Sequence, residues 1–319
     1  MNSVKFSVVI PAHNEEEVIA RAIDSVLSNG YVNKEIIISN DGSTDKTENI
    51  VKGYMKKKRN IKLVNHPTGT SAAAARNRGA KKATGEILVF LDADTYMNDE
   101  FFDSIMEMHT SSVDAYMTMN RPYRGNFVSK ALAGLVGPSI KRNLKDGSIY
   151  DLENCEIAGA MFFCISRKAF DKINGFNENT FYYEDNLFAK KFYEAGFKSK
   201  LVKQAKQYFE LPTSFSEFFR QCKWIGKGIN TMVDKKCRVK YSLYWLVKFG
   251  FILSPLLFVG NMVMFTKALI FTLVVVYITL LWRNKNPFLS LFTLPFLYVK
   301  IILVTINMVR FLVLPSRRS

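Results

Sequence analysis

The apolar run Ile87-Leu88-Val89-Phe90-Leu91 leads straight into Asp92-Ala93-Asp94, and this passage restricts the fold more than any other. A strand with no polar face must be covered on both sides, which places it in the middle of a parallel sheet with helices above and below. The preceding sequence supplies the rest of such a sheet. Phe6-Ser7-Val8-Val9-Ile10 reads as a first strand stopped by Pro11, Glu35-Ile36-Ile37-Ile38-Ser39 as a second, and Ile61-Lys62-Leu63-Val64 as a third. Between them, Val18, Ile19, Ala22, Ile23, Val26 and Leu27 recur at helical spacing up to Gly30, with Asn14 to Glu17 as the expected cap. Asp45-Lys46-Thr47-Glu48 opens a second helix with Asp45 as its cap, and an alanine-rich third runs from about Ser71 to Lys82. Strands alternating with helices predict an α/β fold with a Rossmann-like, mostly parallel sheet.

Ligands of an open sheet of this kind bind at the carboxyl ends of its strands. Here those ends carry Pro11-Ala12-His13-Asn14-Glu15, Asn40-Asp41-Gly42-Ser43-Thr44-Asp45 and Asp92-Ala93-Asp94, so polar and acidic groups gather on one edge. Side chains alternate along an extended chain, which predicts that Asp92 and Asp94 face one way. Paired carboxylate oxygens suit Mg²⁺ or Mn²⁺ together with substrate phosphates, and such an ion stabilises a departing diphosphate as a Lewis acid. Asp41 stands where a carboxylate accepts hydrogen bonds from a base N–H or a ribose hydroxyl. Arg76 and Arg78 lie in the alanine-rich helix, where a cation can face a diphosphate.

Taken in order, Ser7 to Glu15, Asn40 to Asp45, Ala75-Arg76-Asn77-Arg78-Gly79, Gly85-Glu86 and Asp92-Ala93-Asp94 resemble the family 2 glycosyltransferases, which have the GT-A fold. The resemblance runs over about residues 4 to 230. It implies an inverting transfer from a nucleotide-diphospho-sugar, usually UDP- or GDP-linked, with a divalent metal. It also implies that Pro11, Ala12, Glu15 and Asp41 surround the nucleoside, and that Asp94 is the firmer metal ligand beside Asp92. Further on, Gly159-Ala160-Met161 and Asn174-Gly175-Phe176 resemble segments shaping the acceptor side. Glu184-Asp185 resembles the acidic pair whose aspartate is the general base, because inversion needs a base opposite the leaving group. Asp185 is then the base, with Glu184 and Gly159 on the acceptor. Departures from the family pattern include Asn40 in place of the first aspartate of a doublet and Leu187 where a further acid often stands. Arg220-Gln221-Cys222-Lys223-Trp224 resembles the Gln-x-x-Arg-Trp element of processive synthases but is one residue short, which predicts transfer of a single sugar. Lys223 and Trp224 are candidates to close over the diphosphate.

From Tyr241 onward Leu, Phe, Val and Ile dominate, which predicts a catalytic domain over residues 1–240 and a membrane domain over 241–319. Crossing a bilayer takes about 20 apolar residues. Candidate spans are 243–260 and 262–282, with 287–314 as a third span or an interfacial helix. Lys235, Lys236, Arg238 and Lys240 directly before this region favour retention of the preceding part in the cytoplasm. The segment from Arg121 to Asp151 is expected to lie at the bilayer and admit a lipid-linked acceptor. The net charge of +16 implies an anionic partner. A membrane and a phosphorylated substrate satisfy it, and the soluble half lacks the basic–aromatic pattern of nucleic-acid binding. Cys155, Cys164, Cys222 and Cys237 show no metal or disulfide spacing. The implied acceptor is a lipid-linked molecule or a glycan hydroxyl. Polyprenyl phosphate is the alternative acceptor, and a catalytically inactive membrane scaffold is the alternative role.

Overall fold

In a computed structural model, residues 4–123, 125–126, 129–130, 132, 146–150, 164–180, 184–231, 235–258, 260–284 and 287–313 are described. They divide into two compact units: residues 1–121 with 138–209, and 122–137 with 210–319. The break in the fold thus falls near residue 210, about thirty residues ahead of the composition change at 240.

The first unit is built on a sheet ordered β3-β2-β1-β4-β8-β6-β9-β5, with β7 paired to β9. Strands β1 (Phe6–Ala12), β2 (Lys34–Asp41), β3 (Ile61–His66) and β4 (Ile87–Phe90) are parallel. Strand β8 (Cys164–Ser166) runs antiparallel to both β4 and β6 (Ala115–Tyr123). Strand β9 (Ser199–Glu210) runs antiparallel to β5 (Thr95–Met97) and β7 (Ile149–Tyr150). The sheet is therefore parallel in its first half only.

Central strands hold two cores apart by simple alternation. Phe6, Val8 and Ile10 of β1 face Ile19, Ile23 and Val26 of helix α1 (Ile19–Ser28) and the pair Phe101–Phe102 of α4 (Phe101–Glu107). Val9 points the other way, with Ile37, Leu88 and Phe90, onto Ala73 and Ala80 of α3 (Ala72–Lys82) and Ala169 and Phe170 of α5 (Arg167–Lys172). Small residues let α3 lie almost on the sheet. A Cβ on Gly79 would stand 2.4 Å from Val9 Cγ1, so any larger residue there would push the helix away. Serines cap α3 and α5: Ser71 accepts the Ala74 N–H and Ser166 accepts the Ala169 N–H.

Glu35 is buried at the opposite end of the sheet from the strand-end acids. It accepts hydrogen bonds from Ser7 Oγ at 2.7 Å, Lys62 Nζ at 2.7 Å and the Thr84 N–H at 2.6 Å, which joins β1, β2, β3 and the chain after α3. Burial alone would raise its carboxyl pKa, but these donors overcome burial and bring it down to about 2.

The second unit contains α7 (Phe215–Thr231), α8 (Lys235–Leu253), a 3₁₀ turn (Ser254–Phe258), α9 (Met262–Asn284) and α10 (Pro287–Val313). Met262–Leu280, of mean hydropathy 2.2, and Ser290–Val309, of mean hydropathy 1.8, are long and apolar enough to cross a membrane. The expected span over 243–260 is not among them. Its helix stops at Leu253 and tightens into the 3₁₀ turn at Ser254-Pro255, because proline cannot donate to a continuing helix.

Candidate active site

Parallel register brings the strand ends together. Ala12 pairs with Asn40 and Asn40 with Asn65, while the Leu91 N–H donates to Val9 O at 3.0 Å, so Asp92 leaves the sheet beside the end of β1. The loops after β1 and β2 are then tied to each other. Asn14 sits at φ 58, donates its N–H to Ser43 Oγ at 3.0 Å and accepts the Thr44 N–H at 2.8 Å. The Glu16 N–H donates to Asp45 Oδ2 at 3.0 Å, and the Lys46 N–H donates to Glu16 Oε2 at 2.9 Å. This mutual exchange differs from the predicted cap. Asn14 to Glu17 tie one loop to another, and α1 begins at Ile19 with no side-chain cap. Asp45 does serve the second helix, accepting the Thr47 N–H at 3.0 Å ahead of α2 (Thr47–Lys57).

Asp41, at the end of β2, is 5% exposed and organises the loop that follows β3. Its Oδ2 accepts the Thr70 N–H at 2.7 Å, and its Oδ1 accepts from Thr70 Oγ1 at 2.8 Å and from Arg78. Its main-chain oxygen accepts from His13 Nδ1 at 2.7 Å. Two glycines let the loops meet. Gly42 has φ +72, and a Cβ there would lie 2.5 Å from Gly69 N.

Arg76, 5% exposed on α3, joins the two halves of the unit. Its Nη2 donates to Asp92 Oδ1 at 2.7 Å and its Nη1 to Glu184 Oε1 at 3.0 Å. Glu184 opens α6 (Glu184–Glu194). Beneath the guanidinium lies the Phe176 ring, 5.4 Å from Cζ, and Phe176 in turn stacks on Phe188 of α6 at 4.1 Å and 17°. The neighbouring Asn77 fixes the turn that carries this ring. Its Nδ2 donates to Phe176 O and to Glu178 Oε1, at 2.9 and 2.8 Å, and its Oδ1 accepts the Phe176 N–H at 2.9 Å. The five residues Ala75-Arg76-Asn77-Arg78-Gly79 thus divide the work among them. Ala75 packs in the core, Arg76 bridges two carboxylates and Asn77 anchors the turn, while Arg78 supports Asp41 and Gly79 allows close approach to the sheet. The parts that Thr70, Asn77 and Phe176 play in building the site escaped the sequence reading. The resemblance picks out Asn77 and Phe176 within two separate segments, but nothing in the sequence joins them.

Charge is concentrated where these elements meet. Burial, then Asp94, Asp92 and Asp45, push the Glu15 carboxyl up to about 7. Glu184 is raised by burial and partly restrained by Arg76. Burial also raises Asp185, although its Oδ1 accepts the Asn186 N–H at 2.8 Å and Asn186 Nδ2 at 2.9 Å. Arg76 itself is held above its ordinary value, because Asp92 and Glu184 outweigh the burial that opposes its charge.

Pro11, Ala12, Glu15, Asp41, Arg76, Asp92, Asp94, Glu184 and Asp185 all belong to the first unit. Asp92 and Asp94 do not sit on extended chain, as strand alternation would require. The strand ends at Phe90, and the Thr95 N–H closes a turn onto Asp92 O at 3.0 Å, leaving Asp92 half-buried and Asp94 exposed. Arg76, expected to face a diphosphate, has its terminal nitrogens on Asp92 and Glu184. Lys223, exposed, and Trp224 lie on α7 of the second unit. Gly159 and most of the Arg121–Asp151 segment lie outside the described residues.

Residues 7–173, about half of the chain, match the family described as Glycosyl transferase family 2. The chain belongs to that family. An uncharacterized glycosyltransferase of Haemophilus influenzae is 38% identical over 100 residues, covering 31% of this chain and 40% of the relative. The chain therefore matches less than half the length of that curated relative. Two solved structures share the GT-A fold. S. aureus TarS (1-349) in complex with UDP-GlcNAc has TM-score 0.54 and 19% identity over 96% of this chain and 91% of that one. The mannosyltransferase PcManGT of Pyrobaculum calidifontis, in complex with GDP-Man and Mn²⁺, has TM-score 0.59 and 16% identity over 98% and 88%. The strand-end loops after β1 to β4 lie wholly within the residues that match the family.

Proposed function

We propose that this glycosyltransferase moves a single sugar, with inversion, from a UDP- or GDP-linked donor to a hydroxyl of a membrane-associated acceptor, lipid-linked or glycan. The observation that carries the reading is the Arg76 bridge. One buried cation holds Asp92, from the donor end of the sheet, against Glu184, next to the expected base. Asp185 takes the proton of the acceptor hydroxyl as its oxygen attacks the anomeric carbon and the nucleoside diphosphate departs. A carboxyl raised by burial is a stronger base than an ordinary aspartate, which suits that step. Glu184, fixed by Arg76, orients the acceptor. Pro11, Ala12 and Glu15 line the nucleoside, and Asp41 accepts from the base or ribose while Thr70 and Arg78 hold it in place.

The acidic edge suits a divalent cation. Burial lifts the Glu15 carboxyl to about 7 with help from Asp94, Asp92 and Asp45, and a bound cation would relieve their repulsion of its charge. Among the described residues no three His, Cys, Asp or Glu side chains converge on one point, so Asp94 and Asp92 would supply part of a shell that donor phosphates complete. When bound, Mg²⁺ or Mn²⁺ neutralises charge on the leaving diphosphate. The basic run that opens α8 supports a catalytic unit on the cytoplasmic face.

The test is thermal stabilisation of the full chain by UDP-, GDP- and dTDP-sugars with and without Mn²⁺, paired with turnover of Asp185→Asn. One nucleotide class should stabilise the protein only with metal, and Asp185→Asn should keep that binding while losing turnover. No stabilisation by any nucleotide would end the donor reading. Near-normal turnover of Asp185→Asn would move the acceptor from a hydroxyl to a phosphate, which needs no base.

A further inference from the structure

The second unit contains a conflict between composition and packing. Ser290–Val309 of α10 is apolar enough to cross a bilayer. Helix α7, however, lies along it. Phe215 stacks on Phe296 at 5.3 Å and Phe218 meets the same ring edge-on at 5.5 Å. Eleven residues after Phe215, a Cβ on Gly226 would stand 2.7 Å from Val304 O and 3.1 Å from Met308 N. Both helices advance together, so α7 follows α10 from Phe296 to Met308 with Phe218, Cys222 and Gly226 as its buried stripe. Gly226 brings the two backbones into contact, which excludes a lipid chain from between them.

The outer face of α7 is polar. Glu217, Arg220, Gln221 and Lys223 are exposed. Were α10 to cross the membrane upright, these charges would be carried alongside the middle of the span, where ionised side chains are strongly disfavoured. The part of α10 ahead of the contact, residues 287–295, is only about 14 Å long at a helical rise of about 1.5 Å per residue. The hydrocarbon core is roughly 30 Å thick. Helix α8 also reaches α10, where Thr305 Oγ1 donates to Trp245 O at 3.4 Å.

We infer that α10 does not cross the bilayer: the α9–α10 hairpin and α7 form a monotopic seat on one leaflet of an anionic membrane. Met262, Val263, Ile270, Phe271, Val274 and Ile278 of α9 are exposed apolar residues that enter the acyl region. The charged face of α7 lies among the headgroups, in the manner of interfacial amphipathic helices. Charge complementarity selects an anionic surface, because Arg220 to Lys240 contains seven basic residues and one acid, Asp234. The expectation of multiple crossings is replaced by attachment from one side.

Labelling of single cysteines tests this in the full-length chain with its own cysteines replaced. Lys58→Cys reports the side of the catalytic unit, Asn284→Cys the turn between α9 and α10, and Glu217→Cys the outer face of α7. Arg283→Cys repeats the turn reading if Asn284→Cys expresses poorly. Right-side-out and inside-out vesicles from expressing cells are treated with a membrane-impermeant maleimide. All positions should label in the same vesicle type and to the same extent. Protection of the turn cysteine wherever Lys58→Cys labels would overturn the monotopic seat and restore a crossing hairpin.

Discussion

Asn77 and Phe176 exchange a pair of hydrogen bonds, Nδ2 to O and N to Oδ1, each 2.9 Å long, across 99 residues of sequence. The turn they close holds the Phe176 ring between the Arg76 guanidinium and Phe188 of α6. Asn77→Ala leaves buried main-chain groups unpaired and should cost about 2–3 kcal/mol, read from urea unfolding. Asn77→Asp retains the acceptor but sets a buried carboxylate oxygen against Phe176 O and Glu178 Oε1, so at neutral pH it should be no more stable than the alanine variant.

Gly175 precedes Phe176 at φ +58, and a Cβ there would meet Asn77 Oδ1 at 2.5 Å. Gly175→Ala should therefore lose both backbone ease and the anchor, about 1–3 kcal/mol in total. Gly196, with a similar φ of +80 but nothing within 4 Å, is the matched control. Gly196→Ala should cost only about 1 kcal/mol. Equal losses at the two positions would refute the anchoring role.

Arg76→Met strips the bridge and strands Asp92 and Glu184 without a cation. Removing one partner of a buried ion pair costs about 3–5 kcal/mol, and turnover should fall by at least about a hundredfold through lost carboxylate geometry. Arg76→Lys supplies charge without the fork needed to reach both acids, so it should regain stability more than rate. Thermal unfolding and kcat measured on the same preparations separate the two effects.

Asp185 must be ionised to accept a proton, and burial raises its carboxyl above the ordinary aspartate value. The rate should therefore rise with pH through that raised value, giving an acidic limb at higher pH than an exposed aspartate would give. A profile of kcat/KM against pH shows the limb directly. Asp185→Glu should keep a limb, and Asp185→Asn should have none.

Glu35 works in the opposite sense. Its carboxyl is depressed to about 2, so its contribution to stability is complete above the unfolded value near 4.5 and is lost as pH falls from there toward 2. Glu35→Gln should reduce stability at neutral pH by about 1–3 kcal/mol. It should also flatten the pH dependence of unfolding within that window.

The first half of the sheet was legible because β1, β2 and β4 are apolar on both faces, as Val8 and Val9 show by packing into different cores. Strand-end acids were legible for the same reason, since each follows an unmistakable strand. The antiparallel half was not. β8 is three residues long, and β9 carries Lys203 and Lys206 in a burial pattern without strict alternation. Asp92 and Asp94 stood out in the sequence, but pleating does not extend to them, because the chain turns after Phe90. The anchoring by Asn77 could not be read at all, because its partner reaches it only through the folded chain. In the C-terminal region hydropathy located α9 and α10, but it contains no record of which helix lies beside which.

The backbone contact of Gly42 with Gly69 has a consequence for altering donor choice. Since Gly42 leaves no room for a side chain against Gly69, and the Asp41 carboxylate holds Thr70, neither loop can be grafted from a relative by itself without a mismatched surface. They form a single exchangeable cassette. Chimeras that import both should fold, and those that import one should not.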